Sequence, residues 1–142
     1  MKNTKFVAIY IDQNENILSI PSGRSKDGYI KNINLVNELK YPYSDDELES
    51  LLIKSLEQCF TLETEDDEVT VLEKYLGIKG EQKANKGRRL VALWYLEDSG
   101  FEVCPSKKNR GGFAFQKGLV LGETIEKGEL AIAFKKMLEL SN

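Results

Sequence analysis

The sequence contains no histidine. That absence removes Ser–His and Cys–His nucleophilic pairs, histidine general bases and histidine-containing zinc sites. Cys59 and Cys104 are the two cysteines, too few for a four-cysteine zinc site. They are expected as free thiols, in keeping with a reducing, cytoplasmic location. No run approaches the roughly 20 apolar residues of a membrane helix. The opening MKNTKFVAIYIDQNEN turns polar at once and lacks a signal peptide's long apolar region and cleavage site. A cytoplasmic protein with no membrane partner is therefore expected. An enzyme built from this chain would have to work with carboxylates, Lys, Tyr or Ser. With 23 acidic residues some carboxylate pair is always available, so such a pair carries no information. The expectation is a non-enzymatic protein with no cofactor and no metal.

What is present points to a folded globule. The 142 residues suit a single domain over 1–142, with 41% hydrophobic residues for a core and 30% charged residues for a solvated surface. Net charge is −3, unevenly placed. From Asp45 to Glu73 there are eleven acidic residues and one basic one, Lys54. From Lys79 to Arg110 there are eight basic residues and four acidic ones. Such asymmetry can steer a charged partner, or it can be two solvated faces that offset each other.

Strands are expected at 5–11 (KFVAIYI), 17–21 (ILSIP) and 29–36 (YIKNINLV), each rich in β-branched or aromatic residues. SDDE at 44–47 reads as a capping box opening a helix over 45–60, with Leu48, Leu51, Leu52, Ser55, Leu56 and Cys59 on one face. A short helix is expected at 67–77, with EDDE (65–68) as its acidic start and Gly77 as its stop. IKGEQKANKG (78–87) reads as a long basic-polar connection. Strands follow at 89–96, 101–105, 112–116 and 119–122, then a helix over about 126–140.

Residues 6–30 overlay residues 90–114 at an offset of 84. Val7 meets Val91, Ala8 meets Ala92, Pro21 meets Pro105, Ser22 meets Ser106 and Gly28 meets Gly112. With a two-residue slip, Glu47 and Leu48 meet Glu129 and Leu130. The fold class expected is α+β, antiparallel sheet or sheets with helices packed on them. It would carry an internal duplication of a strand-strand-strand-helix unit, about 5–60 and 88–140, joined by about 61–84. Trp94 and Cys104 overlay Tyr10 and Ile20, so core or near-core positions are expected for both.

Two chemistries can be weighed from residues. EDDE could hold a hard cation, but it lacks the calcium-loop spacing, and an acidic helix start explains it better. RGGFAF (110–115) is similar to the aromatic octapeptide of RNA-recognition motifs, with Arg88, Arg89, Lys107, Lys108 and Arg110 nearby. Against it, Gln116 stands where that motif wants an aliphatic residue, no helix separates the first two strands, and the chain is acidic overall. A small nucleic-acid-binding module is the alternative reading.

EKYLGIKG (73–80), RRLVALWYLEDSGFEVCPSKKNRGGFAF (88–115) and LVLGETIEKGELAIAFKKMLE (119–139) together resemble the immunity proteins of bacterial contact-dependent growth-inhibition systems. The likeness lies in a helix ending Tyr-Leu-Gly, a Trp-bearing strand, a proline-ended strand with a basic loop and a final Glu-Leu helix. It covers about half the chain, and the KANKG connection is more polar than the family pattern. The resemblance implies a small cytoplasmic α+β binder that seals the C-terminal toxin domain of a large exported protein, often a nuclease. Some such complexes extend a sheet with a strand or hairpin of the toxin. Contacts differ between cognate pairs, so contact residues must come from the sequence itself. First choices are the acidic Glu65, Asp66, Asp67 and Glu68, then Asp45, Asp46 and Glu49, suited to a basic toxin surface. The basic loop Lys107, Lys108 and Arg110 is third.

Overall fold

The computed structural model describes residues 4–142. Its centre is an antiparallel pair, β1 (Lys5–Ile11) and β5 (Arg89–Leu96), in which Ala8 stands opposite Ala92. Alternation decides what each face does. Val7, Ile9, Ile11, Val91 and Leu93 point to one side, into the larger core. Ala8 and Tyr10 point to the other. Both sides are covered, which is why KFVAIYI and RLVALWYL read as near-continuous apolar runs.

Each central strand pairs outward with the next in sequence. β2 (Ile17–Arg24) lies on β1 and β6 (Gly100–Cys104) on β5. The far edge of β2 takes two short strands, β3 (Ile30–Asn32) on its distal end and β4 (Asn37–Leu39) on its proximal end. Of the single strand expected at 29–36 only Ile30–Asn32 forms, and β4 lies beyond it. Fully buried Ile33 dives inward, and the amide of Leu35 closes a tight turn onto its carbonyl. On the other flank β9 (Leu119–Gly122) pairs β6 and ends the sheet. Between them β7 (Ser106–Asn109) and β8 (Gly112–Phe115) form a separate hairpin. β7 leaves the sheet after Pro105 because Ser106 is claimed elsewhere: its amide donates to the Ser141 hydroxyl and its hydroxyl to the Leu90 carbonyl.

Strand pairing repeats at the offsets of the sequence overlay. Ala8 pairs Ile20 as Ala92 pairs Cys104, and Ile11 pairs Ile17 as Tyr95 pairs Phe101. Leu18 pairs Glu38 as Glu102 pairs Val120, the second strand now shifted by the two-residue slip. The strand pairings on either side of Ala8 and Ala92 thus correspond, and one sheet holds both segments.

α1 (Asp45–Glu57) and α4 (Glu129–Leu140) cover the larger core. α1 starts on the expected capping box, Ser44 with Glu47, and buries Leu48, Leu52, Ser55 and Leu56. α4 buries Leu130, Ala133, Phe134, Met137 and Leu138. Each fully buried aliphatic side chain contributes about 1.5–3 kcal/mol.

The opposite face is covered by α2 (Val71–Leu76) and α3 (Glu81–Asn85), which place Val71, Leu72 and Ala84 on Leu18 and Ile20. EDDE is not a helix start. α2 begins later, on a second capping box between Thr70 and Glu73, because that box satisfies the first-turn amides directly. Glu73 also accepts the Gly80 amide at 3.0 Å, which folds the connection back and seeds α3 where only a polar link was expected. Cys59 and Cys104 are free and buried, and Trp94 is half-buried against Phe6, with ring centroids 4.5 Å apart.

Candidate functional site

The acidic residues singled out in the sequence fall in two places. At the start of α1, Asp45 pairs with Lys135 of α4, and Asp46 faces Lys127 at 3.9 Å. Glu49 turns toward the neighbouring helix: its carboxylate accepts the amides of Gly128 at 2.8 Å and Ala131 at 3.1 Å, so it caps α4 from α1. The second place is the loop before α2. There Lys74 bonds the carboxylates of Glu65 and Asp67, the latter at 2.8 Å, and Asp66 faces Lys26 at 3.8 Å. Lys31 donates to the backbone carbonyls of Glu65 and Asp67. The Lys74 hydrogen bond holds the Asp67 carboxyl below its ordinary range, and the two carboxylates raise Lys74 in return. Glu68 is exposed and takes part in no ion pair among the described residues. Much of the acid belt is thus neutralised within the chain. Among the described residues no three His, Cys, Asp or Glu side chains gather as metal ligands.

Lys107, Lys108 and Arg110 lie exposed on the β7–β8 hairpin. Arg110 and Gly111 both have positive φ, 53° and 84°, the geometry of a tight two-residue hairpin turn. The turn seats against α3: a Cβ on Gly111 would lie 2.1 Å from Gln82 Cγ, and Asn85 Nδ2 donates to the Gly111 carbonyl at 3.0 Å. Between hairpin and helix runs a groove of about 340 Å³, lined by Gln82, Lys83, Asn85, Lys86, Lys108 and Gly111 to Phe113. Lys83 and Lys86 belong to this surface although the sequence reading treated KANKG as a bare link. The usable signal was EQKA, four good helix formers placed directly after Gly80.

The rings that could have stacked on nucleic-acid bases lean on rings of the sheet, although Phe115 stays 43% exposed. Phe113 meets Tyr10 edge-on at 6.3 Å and Phe115 meets Phe6 at 6.0 Å. Burial, then the charge of Glu81, pushes the Tyr10 hydroxyl up to about 12, so it stays neutral. The third feature is the sheet edge. β9 pairs only β6, and its Val120 is 60% exposed and Leu119 36% exposed.

No family model matches the sequence, and no curated protein matches it. Solved structures with the same fold include the following two. One is a protein of unknown function from Neisseria meningitidis, with TM-score 0.71 and 12% identity over 100% of this chain and 98% of that one. The other is a chain of a CdiA-CT/CdiI toxin and immunity complex from Yersinia pseudotuberculosis, with TM-score 0.68 and 12% identity over 98% of each chain. At that identity the likeness is one of fold. It extends over nearly the whole of each chain. Among the described residues no helix is long and apolar enough to cross a membrane. The surface thus carries an exposed strand edge at β9, an acidic surface partly paired within the chain, and a groove lined by three lysines. The nucleic-acid alternative is not favoured by this fold.

Proposed function

We propose that this chain is a cytoplasmic immunity protein that neutralises the C-terminal toxin domain of a contact-dependent inhibition effector by covering its active or substrate-binding surface. The observation that carries the reading is the full-length fold likeness to a chain of a toxin and immunity complex. It joins the independent resemblance of residues 73–139 to such immunity proteins. Inhibition of this kind needs shape and affinity but no chemistry of the inhibitor's own. The β9 edge supports it, since its outward main-chain groups can accept a partner strand while Leu119 and Val120 grip alternate side chains.

The test is co-expression with the toxin domain encoded beside this chain's gene, scored by survival and co-purification. Expressed alone, the chain should leave growth unchanged. Rescue with a stable complex is the expected result. Growth arrest by the chain alone would make it the toxin partner, and death of the co-expressing cells without a complex would overturn the reading.

A further inference from the structure

The distribution of ion pairs reverses the ranking that composition suggests. All five ion pairs among the described residues consume carboxylates of the two acidic stretches, Asp45, Asp46, Glu65, Asp66 and Asp67. None involves Lys83, Lys86, Lys108 or Arg110. Lys83, Lys86 and Lys108 line one groove, and no carboxylate is part of its lining; Glu81, on the same helix, lies on the Tyr10 side. We infer that the groove between α3 and the β7–β8 hairpin is a docking site for an acidic loop of a partner protein, one that sets two or three carboxylates against Lys83, Lys86 and Lys108 and an apolar side chain against Phe113. The identity of that partner as a toxin rests on the reading above; the chemistry of the groove does not.

Three observations support this occupant. Like charges held close repel in the free protein, and an anionic segment relieves that repulsion on binding. The groove is built before any partner arrives: Gly111 packs directly on Gln82, Asn85 ties hairpin to helix, and Ala84 and Asn85 are buried beneath them. Its size decides between anions. About 340 Å³ holds a few side chains, whereas a nucleic-acid strand needs a long track with free stacking rings, and Phe113 is turned onto Tyr10.

The test is a titration of the isotope-labelled full chain with hexaglutamate at low ionic strength, followed by amide NMR, with hexathymidylate as the nucleic-acid arm. Saturable shifts confined to Gln82–Lys86 and Lys108–Phe113 are expected, fading as salt is raised. The variant K83E/K86E/K108E should weaken hexaglutamate about tenfold or more, since rim charges govern capture of a charged partner. These lysines are exposed, so the fold should survive; K83Q/K86Q/K108Q gives the same comparison if the reversal lowers the melting temperature. Absence of saturable shifts, shifts indifferent to both variants, or tighter binding of hexathymidylate would each overturn the inference. None of these results bears on rescue by co-expression, so the failure of one reading is separable from the failure of the other.

Discussion

Glu49 offers the sharpest test of how the helical layer is held. α1 carries its own cap in Ser44 and Glu47, but α4 begins at Gly128 with no side chain to offer its first amides. Glu129, the next acid along, is occupied with the amide of Glu126 at 3.0 Å. The missing cap comes from α1, 79 and 82 residues away, as the two Glu49 hydrogen bonds to Gly128 and Ala131. Removing a cap costs about 1 kcal/mol, and losing a carboxylate at the positive end of a helix costs about 0.3–1 kcal/mol more. Because Glu49 is half-buried, water replaces the lost bonds only in part. Glu49→Ala should therefore destabilise the protein by about 2 kcal/mol, or about 6 °C in melting temperature for a chain of this length. Glu49→Gln keeps one acceptor oxygen but no charge, and about half the loss is expected. Urea unfolding followed by circular dichroism at neutral pH reads both. A Glu49→Ala protein within about 0.5 kcal/mol of the parent, the ordinary range of surface substitutions, would refute the cap. The result bears on function as well. A residue holding α4 in place should lower stability when changed, while the affinity of the folded protein for a partner stays the same.

Ser19 and Ser55 are fully buried, with hydroxyls 2.6 Å apart, and their substitutions should differ. Ser55 donates to the Leu51 carbonyl and accepts from Asn37, so it stays satisfied without Ser19, whereas Ser19 loses its partner without Ser55. Ser55→Ala is expected to cost about 1–3 kcal/mol and Ser19→Ala less than about 1 kcal/mol by urea unfolding; equal costs would refute the assignment. In acid, Asp67 and Glu73 lose stability in the same direction. Lys74 lowers Asp67 from 3.8, and amides of Thr70 and Gly80 lower Glu73 from 4.5. Carboxyls depressed in the folded state contribute stability that is complete above those ordinary values and is lost as pH falls through the lowered ones. Lys74→Met should flatten the fall of the urea midpoint below pH about 4, and an unchanged slope would show that the pair is idle.

The architecture was legible wherever local signals agreed with global ones. KFVAIYI and RLVALWYL alternate inside a two-sided core, and SDDE caps α1 as its spacing predicts. The sequence overlay left open whether the two halves share a sheet; they do, with Ala8 opposite Ala92. What was not legible depends on long-range partners. Nothing near Glu49 in sequence says that it serves a helix about eighty residues away, and its acidic neighbours made it look like part of a binding patch. EDDE read as a helix start because the competing box, Thr70 with Glu73, lies only a few residues on. α3 was hidden because it spans five residues and is held by Glu73 and by the hairpin tip more than by its own propensity.

The same logic explains why charge along the sequence misleads about charge on the surface. The acidic stretch is dense, but chain folding brings Lys26, Lys31 and Lys74 to its loop and Lys127 and Lys135 to its helix. Those lysines come from β3, α2, α4 and the turns around them, so no window of sequence contains the neutralised set. The basic stretch has no such visitors. Its cations sit where the two halves stop matching: β7 leaves the sheet after Pro105, and the connection unique to the middle of the chain supplies α3 opposite it. The sheet has used its pairing groups on itself except at its two edges, β9 on one flank and the short β3 and β4 on the other. The hairpin and α3 are under no such constraint, and there the surface keeps an unbalanced charge beside a rigid, partly apolar floor. Of the two charged stretches, the acidic one is thus partly paired within the chain, and the basic one keeps its groove-lining lysines outside any ion pair among the described residues.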